Sequence, residues 1–161
     1  MKKHNVVRFG YVAVTVFVGT LLVFACKNPT GVDVDNENSL TVGGQTYALS
    51  ELYFEEFPGF STGTGYNIDL SINGQSAEVD LEMFFSGSSV SAGMYSFSDN
   101  HNSNTFSSSS YVATVNNIYW ISGGEVEISI SGSTYTINGR VTVSGGSQAT
   151  FNYSGPVTGH Y

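Results

Sequence analysis

Apolar and polar residues alternate along several stretches of this 161-residue chain, and short turn signals separate the stretches. The clearest example runs from Tyr66 to Phe85 and is interrupted by Asn73-Gly74, a pair that favours a two-residue type I′ hairpin turn. Because successive side chains of a strand point to opposite faces, a period of two predicts strands that each have one apolar face. The pattern therefore favours antiparallel β-structure.

The turns also predict which residues face each other across two hairpins. The turn in the first hairpin pairs Leu70 with Ala77, and a type II′ turn at Gly132-Ser133 sets Glu125 opposite Arg140. In both registers the apolar residues of the two strands share one face, so the turn chemistry and the hydrophobic pattern agree.

Residues 39–161 are predicted to form one all-β domain, an antiparallel meander of eight to ten strands. Another hairpin closes with a three-residue loop, Gly145 to Ser147, and the serine-rich segment from Asp99 to Ser110 is expected to be an exposed loop. Such meanders form lipocalin-like barrels or two-sheet sandwiches, and both alternate inward and outward residues. We expect the barrel, with the β-sandwich as the alternative.

Residues 1–25 have the layout of a secretion signal, a basic start followed by an uncharged run from Phe9 to Ala25. The run ends in Val23-Phe24-Ala25-Cys26, which resembles a lipobox, and Cys26 is the only cysteine of the chain. The alternative, an uncleaved transmembrane helix, needs about 20 apolar residues, more than this run supplies. We therefore expect lipidation at Cys26 and attachment to a membrane through that lipid.

Residues 26–38 are polar and without periodicity, which predicts a flexible tether between the lipid and the domain. After removal of residues 1–25, two basic residues remain against thirteen acidic ones, a net charge of −11. A surface of this charge repels nucleic acid and anionic lipid, so neither is an expected partner of the protein surface. Lys27, directly after the lipidated cysteine, is compatible with delivery to the outer membrane.

Five short motifs follow one another along most of the mature chain: Thr46-Tyr47-Ala48-Leu49, Gly93-Met94-Tyr95-Ser96, Ser122-Gly123-Gly124-Glu125-Val126, Thr134-Tyr135-Thr136-Ile137 and Tyr153-Ser154-Gly155. Their order resembles small envelope lipoproteins of the Bacteroidota, some of which are described as lipocalin-like or calycin-like. Met94 replaces the Thr that is usual in that pattern. The resemblance implies a lipid-anchored β domain of the cell envelope, and it carries no catalytic residues over to this chain.

The outer face of the first hairpin is acidic. The predicted register places Asp69 opposite Glu78 and Asn67 opposite Asp80, and like charges directly across a ladder are destabilising unless something bridges them. A calcium ion held by Asp69, Glu78 and Asp80 would bridge them, since calcium takes carboxylate and amide oxygens in flexible geometry. The alternative is an exposed acidic face whose repulsion is screened by salt.

Tyr119 and Trp120 lie in a continuous apolar stretch and are candidate ligand-binding residues. Aromatic side chains stack on sugar faces, and in a barrel they line an apolar cavity. The alternative is that these rings pack in the core of a domain that has few leucines to fill it.

No catalytic constellation emerges from the sequence. The chain has no phosphate-binding Gly-rich loop and no zinc-spaced cluster of Cys and His. We therefore expect a non-catalytic envelope domain without a cofactor, which binds a small hydrophobic molecule or a glycan. A structural or assembly role in the envelope is the alternative.

Overall fold

A computed structural model describes residues 38–56 and 66–160, and within these ranges the regular structure consists of twelve β-strands without a helix. The strands are β1 (Ser39–Val42), β2 (Gln45–Ala48), β3 (Glu51–Glu56), β4 (Tyr66–Asn73), β5 (Ala77–Phe85), β6 (Gly93–Phe97), β7 (Thr105–Phe106), β8 (Tyr111–Thr114), β9 (Asn117–Ser131), β10 (Thr134–Val143), β11 (Gln148–Pro156) and β12 (Gly159–His160). In this part of the chain no helix is long and apolar enough to cross a membrane. The all-β prediction is confirmed.

Five strands close into a ring. Strand β8 joins β5 to β9 near the start of both strands, and β7 followed by β6 joins them further along, at Met83 and Phe84 of β5 and at residues 125–128 of β9. The ring is mixed because β6 and β7 run parallel, whereas its other strand pairs are antiparallel. The predicted barrel is therefore confirmed, with a ring of five strands and with additional strands outside it.

The additional strands extend the sheet from β5 and from β9. Strands β4, β3 and β12 follow β5, and strands β10, β11, β1 and β2 follow β9. The ring of Phe54 in β3 meets the ring of Tyr135 in β10 edge to face, with centroids 5.3 Å apart. The two extensions thus face each other across the same core, which the inward side chains of the ring strands also fill.

The first hairpin has a different register from the predicted one. Leu70 lies opposite Leu81 instead of Ala77, and the turn is longer, with the Gly74 amide donating to the Ala77 carbonyl at 2.8 Å. Gly74 does not have the positive φ of a type I′ turn. A Cβ on Gly74 would overlap the carbonyl of Ala48, so glycine is needed here for a close backbone approach. The shift is an even number of residues, and each strand therefore keeps its apolar face.

The hairpin between β9 and β10 has the predicted register, with Glu125 opposite Arg140. Gly132 has a φ of +61° and Ser133 does not have a positive φ, which fits a type II′ turn. The predicted register of this hairpin is confirmed, and it follows from the Gly-Ser turn and the matching apolar residues on both sides of it.

The hairpin between β10 and β11 closes with a three-residue loop, as predicted, but the loop is one residue earlier. The Val143 amide donates to the Ser147 carbonyl at 2.9 Å, and Val141 pairs with Ala149. In this register Gly139 lies opposite Phe151, and a Cβ on Gly139 would overlap the Phe151 ring. The need to place this buried ring over a glycine accounts for the shift.

Substitution of Gly139 by Ala is expected to lower the free energy of unfolding by about 1–3 kcal/mol, because the buried Phe151 ring has to move or adopt a strained rotamer. Gly87→Ala is the matched control, since nothing lies within 4 Å of its added Cβ. Urea unfolding of the two variants and the parent chain measures the difference. Equal stability of the two variants would contradict the packing argument.

Candidate functional site

The outward side chains of β3, β4 and β5 carry six carboxylates, and we call this surface the acidic face. Its residues are Glu51, Glu55, Asp69, Glu78, Asp80 and Glu82. Because side chains alternate along a strand, these carboxylates lie on the outer face of the sheet, and the buried apolar side chains of the same strands lie on the inner face. Among the residues that the structure describes, Arg140 is the only Lys or Arg, and it lies on β10, away from this face.

Three of the carboxylates form a row across adjacent strands. Asp69 lies directly opposite Glu55 on one side and Glu82 on the other. Adjacent strands are separated by about 4.8 Å, and like charges in this position repel. The predicted repulsion therefore exists, but it involves different partners.

The predicted pairings of Asp69 with Glu78 and of Asn67 with Asp80 are wrong. Glu78 lies opposite Asn73, and Asp80 lies opposite Ser71. Both errors follow from the longer turn after β4. The predicted metal ligands Asp69, Glu78 and Asp80 share the acidic face, but they do not form one cross-strand set.

Four carboxylates of the acidic face accept a hydrogen bond from a neighbouring hydroxyl group. The donor and acceptor pairs are Tyr53 and Glu51 (3.0 Å), Ser71 and Asp80 (2.8 Å), Tyr111 and Glu78 (3.4 Å), and Ser107 and Glu82. The amide nitrogen of Asn67 also donates to Glu82 Oε1 at 3.4 Å. These donors are thus already engaged.

Within residues 38–56 and 66–160, two buried acceptors have no hydrogen-bond partner: Oδ1 of Asn67 and Oδ1 of Asp69. The Asn67 side chain is only 7% exposed, and Asp69 is half-buried. A buried acceptor without a partner costs about 1–3 kcal/mol. Acceptors therefore outnumber donors on this part of the acidic face.

Burial and neighbouring charges raise the pKa of two carboxyl groups of the acidic face. Desolvation, followed by the charges of Asp80, Glu82 and Glu55, raises the pKa of Asp69 to about 7. Desolvation also raises the pKa of Asp80, although the hydrogen bond from Ser71 opposes the change. A carboxyl group with a pKa of about 7 is partly protonated at neutral pH, so the charge of Asp69 responds to small changes in its surroundings.

The serine-rich segment is only partly the exposed loop that its composition predicts. Ser107 and Ser110 are buried, and Phe106 of β7 is fully buried within the ring. The Ser107 amide donates to the Glu82 carbonyl at 3.1 Å, and the Glu82 amide donates to the Ser110 hydroxyl at 3.0 Å. The serines thus attach this segment to β5 beside the acidic face. Sequence composition does not reveal such long-range bonds.

The two candidate ligand-binding residues, Tyr119 and Trp120, point to opposite faces of β9. Tyr119 is partly buried and packs against the core, so the core-packing alternative applies to it. Trp120 is 53% exposed and lies opposite Tyr111 of β8, with ring centroids 5.6 Å apart in an edge-to-face arrangement. Only Trp120 is therefore available to a ligand on the outer surface.

One cross-strand row, which we call the aromatic row, connects this tryptophan to the acidic face. Its residues, in order from β3 to β9, are Tyr53, Ser71, Asp80, Tyr111 and Trp120. With five strands about 4.8 Å apart, the row spans about 19 Å. Sequence reasoning missed Tyr53 and Tyr111, because their position beside Trp120 depends on the pairing of β5 with β8 and on the corrected register of β4.

A second concave surface, of about 480 Å³, lies on the outer side of β6, β9 and β10. Its lining includes the exposed Met94, the acidic Glu125 and Glu127, and Arg140. The surface is open and of mixed charge. Substitutions on this surface are suitable controls for substitutions on the acidic face.

In the two ranges that the structure describes, no group of three or more His, Cys, Asp or Glu side chains has metal-binding spacing. A metal ion at the acidic face would therefore need Asn or other oxygen ligands, or a movement of side chains. Cys26, the predicted signal segment 1–25 and most of the predicted tether lie outside the described residues.

Comparisons with known proteins find no matching family model, no significantly similar curated protein and no significantly similar solved structure.

In chelator-treated protein, the free energy of unfolding is expected to fall as pH rises from about 4 to 7. Asp69 holds its proton up to a pKa of about 7 in the folded state, whereas the unfolded carboxyl releases it near 3.8. This contribution is fully present below pH 4 and is lost as pH passes 7. Allowing for solvent screening, its size is about 1–2 kcal/mol.

Asp69→Asn should reduce this pH dependence, and at pH 8 the variant should be more stable than the parent chain. Glu127→Gln, which changes a carboxylate on a different surface, is the control and should retain the parental slope. Urea unfolding at several pH values measures the slopes. An unchanged slope in Asp69→Asn would disprove the assignment to Asp69.

Proposed function

We propose that this chain is a non-catalytic, lipid-anchored domain of the cell envelope, which binds a neutral glycan on its aromatic row. The carrying observation is the exposed Trp120, which lies beside Tyr111 in line with Asp80 and Ser71. Aromatic rings next to hydrogen-bonding groups suit the two kinds of surface that a sugar presents, apolar C–H faces and hydroxyl groups.

The charge of the surface favours a ligand that supplies hydrogen-bond donors. Carboxylates are acceptors only, and a hydroxyl group donating to a carboxylate forms a stronger hydrogen bond than one donating to a neutral acceptor. Sugar hydroxyls can therefore be bound by Asp80 and the adjacent carboxylates. A glycan rich in carboxylate or sulfate groups would be repelled by the same residues.

The packing of the ring supports a glycan over a small hydrophobic molecule. The inward side chains of β5 are all buried, and so are Tyr95, Phe106, Val112 and Ile121 from the other strands of the ring. These side chains fill the space in which a lipocalin-like barrel holds an apolar ligand. The lipocalin-like resemblance thus supports a binding role. The exposed aromatic row favours ligand binding on the outer surface instead of inside the ring.

The envelope location is supported by the signal-like residues 1–25, the lipobox-like ending at Cys26 and the resemblance to small Bacteroidota lipoproteins. A lipid at Cys26 and a tether up to Asn38 would hold the binding surface close to the outer membrane. The acidic mature chain contributes no basic surface for attraction to anionic lipid.

A structural role based on strand pairing has less support. The outermost strands of the sheet are β2, with four residues, and β12, with two residues. Short edge strands offer few unpaired backbone groups to another chain. We therefore favour binding over assembly.

Trp120 should be essential for glycan binding. Trp120→Ala is expected to weaken binding at least about tenfold, because aromatic side chains that become buried on binding carry much of the energy of an interface. Met94→Ala removes an equally exposed apolar side chain outside the aromatic row and should leave the affinity unchanged. Calorimetry of the full chain in mild detergent, against a panel of neutral and charged oligosaccharides, measures both variants.

Trp120 is also the only tryptophan of the chain, so its fluorescence reports directly on this site. A neutral glycan should change the emission of the parent chain as it binds. If no glycan of the panel binds, or if Trp120→Ala binds as tightly as the parent chain, the proposed function is wrong.

Cys26→Ser should abolish lipid attachment. Metabolic labelling with a radioactive fatty acid is expected to label the parent chain and not the variant, and the variant should leave the membrane fraction. Ser50→Ala, which changes an exposed residue of the described domain, is the control and should be labelled like the parent chain. Labelling of Cys26→Ser would show that the anchor lies elsewhere.

A further inference from the structure

A second row of the acidic face lies next to the aromatic row, two residues further along β3 and two residues from it on β4 and β5. Glu55, Asp69 and Glu82 stand directly opposite one another on β3, β4 and β5. With Arg140 on a different surface, no Lys or Arg of the described residues offsets the three charges. Such a row is destabilising in isolation, and a cationic partner would remove the repulsion.

The acidic row contains an independent sign of a missing partner. Asn67, next to Asp69 on the same face of β4, is 7% exposed, and its amide nitrogen donates to Glu82. Its side chain therefore contacts the carboxylate of Glu82, yet its Oδ1 atom has no partner among the described residues. The same is true of Oδ1 of Asp69. Two buried acceptors on one face thus lack a donor or a cation.

Three hydroxyl donors among the described residues of this region are already engaged with other carboxylates. The Ser71 hydroxyl donates to Asp80, and the Ser107 hydroxyl donates to Glu82. The Tyr66 hydroxyl donates to Glu56 at 3.1 Å. A bound cation would satisfy both acceptors and would also offset the repulsion along the row.

We propose that Glu55, Asp69, Glu82 and the amide oxygen of Asn67 bind a divalent cation with the ligand preferences of calcium. Calcium accepts six to eight oxygen ligands from carboxylates, amide groups and water. Four protein side chains and water molecules meet that requirement. Smaller magnesium demands a near-ideal octahedron and retains its water, so the site should prefer calcium.

Binding requires one side chain to move. In the described residues no three acidic side chains already converge at metal-binding distance. Glu55 is exposed and accepts no hydrogen bond from the described residues, so its long side chain can turn towards Asp69 without breaking such a bond. A site that is partly assembled by the ion should bind it weakly, with a dissociation constant of about 0.1–1 mM.

The test is calorimetry and thermal unfolding of the full chain in mild detergent, with calcium chloride, magnesium chloride, or sodium chloride at equal ionic strength. Calcium should bind and raise the Tm by several degrees, whereas sodium chloride should have a much smaller effect. Asp69→Asn should weaken calcium binding at least tenfold, and Glu55→Gln should weaken it as well. Glu127→Gln, on the second concave surface, should bind calcium like the parent chain.

Two outcomes would overturn the cation site. One is an equal rise in Tm with calcium and with sodium chloride, which would indicate only charge screening. The other is unchanged calcium affinity in Asp69→Asn, whose folding is verified by its cooperative unfolding transition.

The cation site and the glycan site can fail separately. Glycan binding is read from Trp120 fluorescence in the presence of chelator, and calcium binding is read from heat in the absence of glycan. A positive result in one assay therefore does not depend on the other.

Discussion

Burial of one face of β5 inside the five-stranded ring is the constraint on which the rest of the structure depends. Every second residue of this strand, from Ala77 to Phe85, is buried in the core. Since side chains alternate, Glu78, Asp80 and Glu82 have to point outward. The apolar faces of β4 and β3 follow the same rule, and their carboxylates therefore join those of β5 on one surface. The acidic face is a direct consequence of how the core is packed.

The acidic face is unusual in its balance of donors and acceptors. Neighbouring hydroxyl groups donate to four of its carboxylates, and two buried oxygens, on Asn67 and Asp69, have no partner in the part of the chain that the structure describes. Repulsion and unsatisfied acceptors both cost stability, so this surface is less stable than a neutral one of the same shape would be. A ligand that supplies hydroxyl groups or positive charge would recover part of this cost. The same physical reason thus underlies the glycan and the cation proposals.

Much of the fold can be predicted from the local pattern. Alternation indicates the strands, and Gly132-Ser133 defines the register of β9 and β10 correctly. The errors arise where a glycine serves a distant contact. Gly74 allows the approach of the Ala48 backbone, and Gly139 lies beneath the Phe151 ring. A glycine in a turn sequence and a glycine at a close approach look the same in one sequence, so the register there requires the tertiary structure.

The candidate site, like the fold, was only partly predictable from the sequence. The acidic outer face follows from alternation, whereas composition marked Trp120 as a candidate without predicting that it is exposed. The partners of these residues do not follow from either, because Tyr111 reaches Trp120 through the pairing of β8 with β9, and Ser107 reaches Glu82 from a segment that looks like a polar loop. Non-local strand pairing and long-range hydrogen bonds determine these contacts. Short turn motifs contain no information about them.

The most direct test of the account is an NMR titration of the isotopically labelled protein with the glycan that binds it most tightly. The account predicts that the largest chemical-shift changes form one continuous band across β3, β4, β5, β8 and β9, at Tyr53, Ser71, Asp80, Tyr111 and Trp120. Changes concentrated around Met94 and Arg140, or among the buried side chains of the ring, would contradict it. That result would place ligand binding on a different surface of the domain.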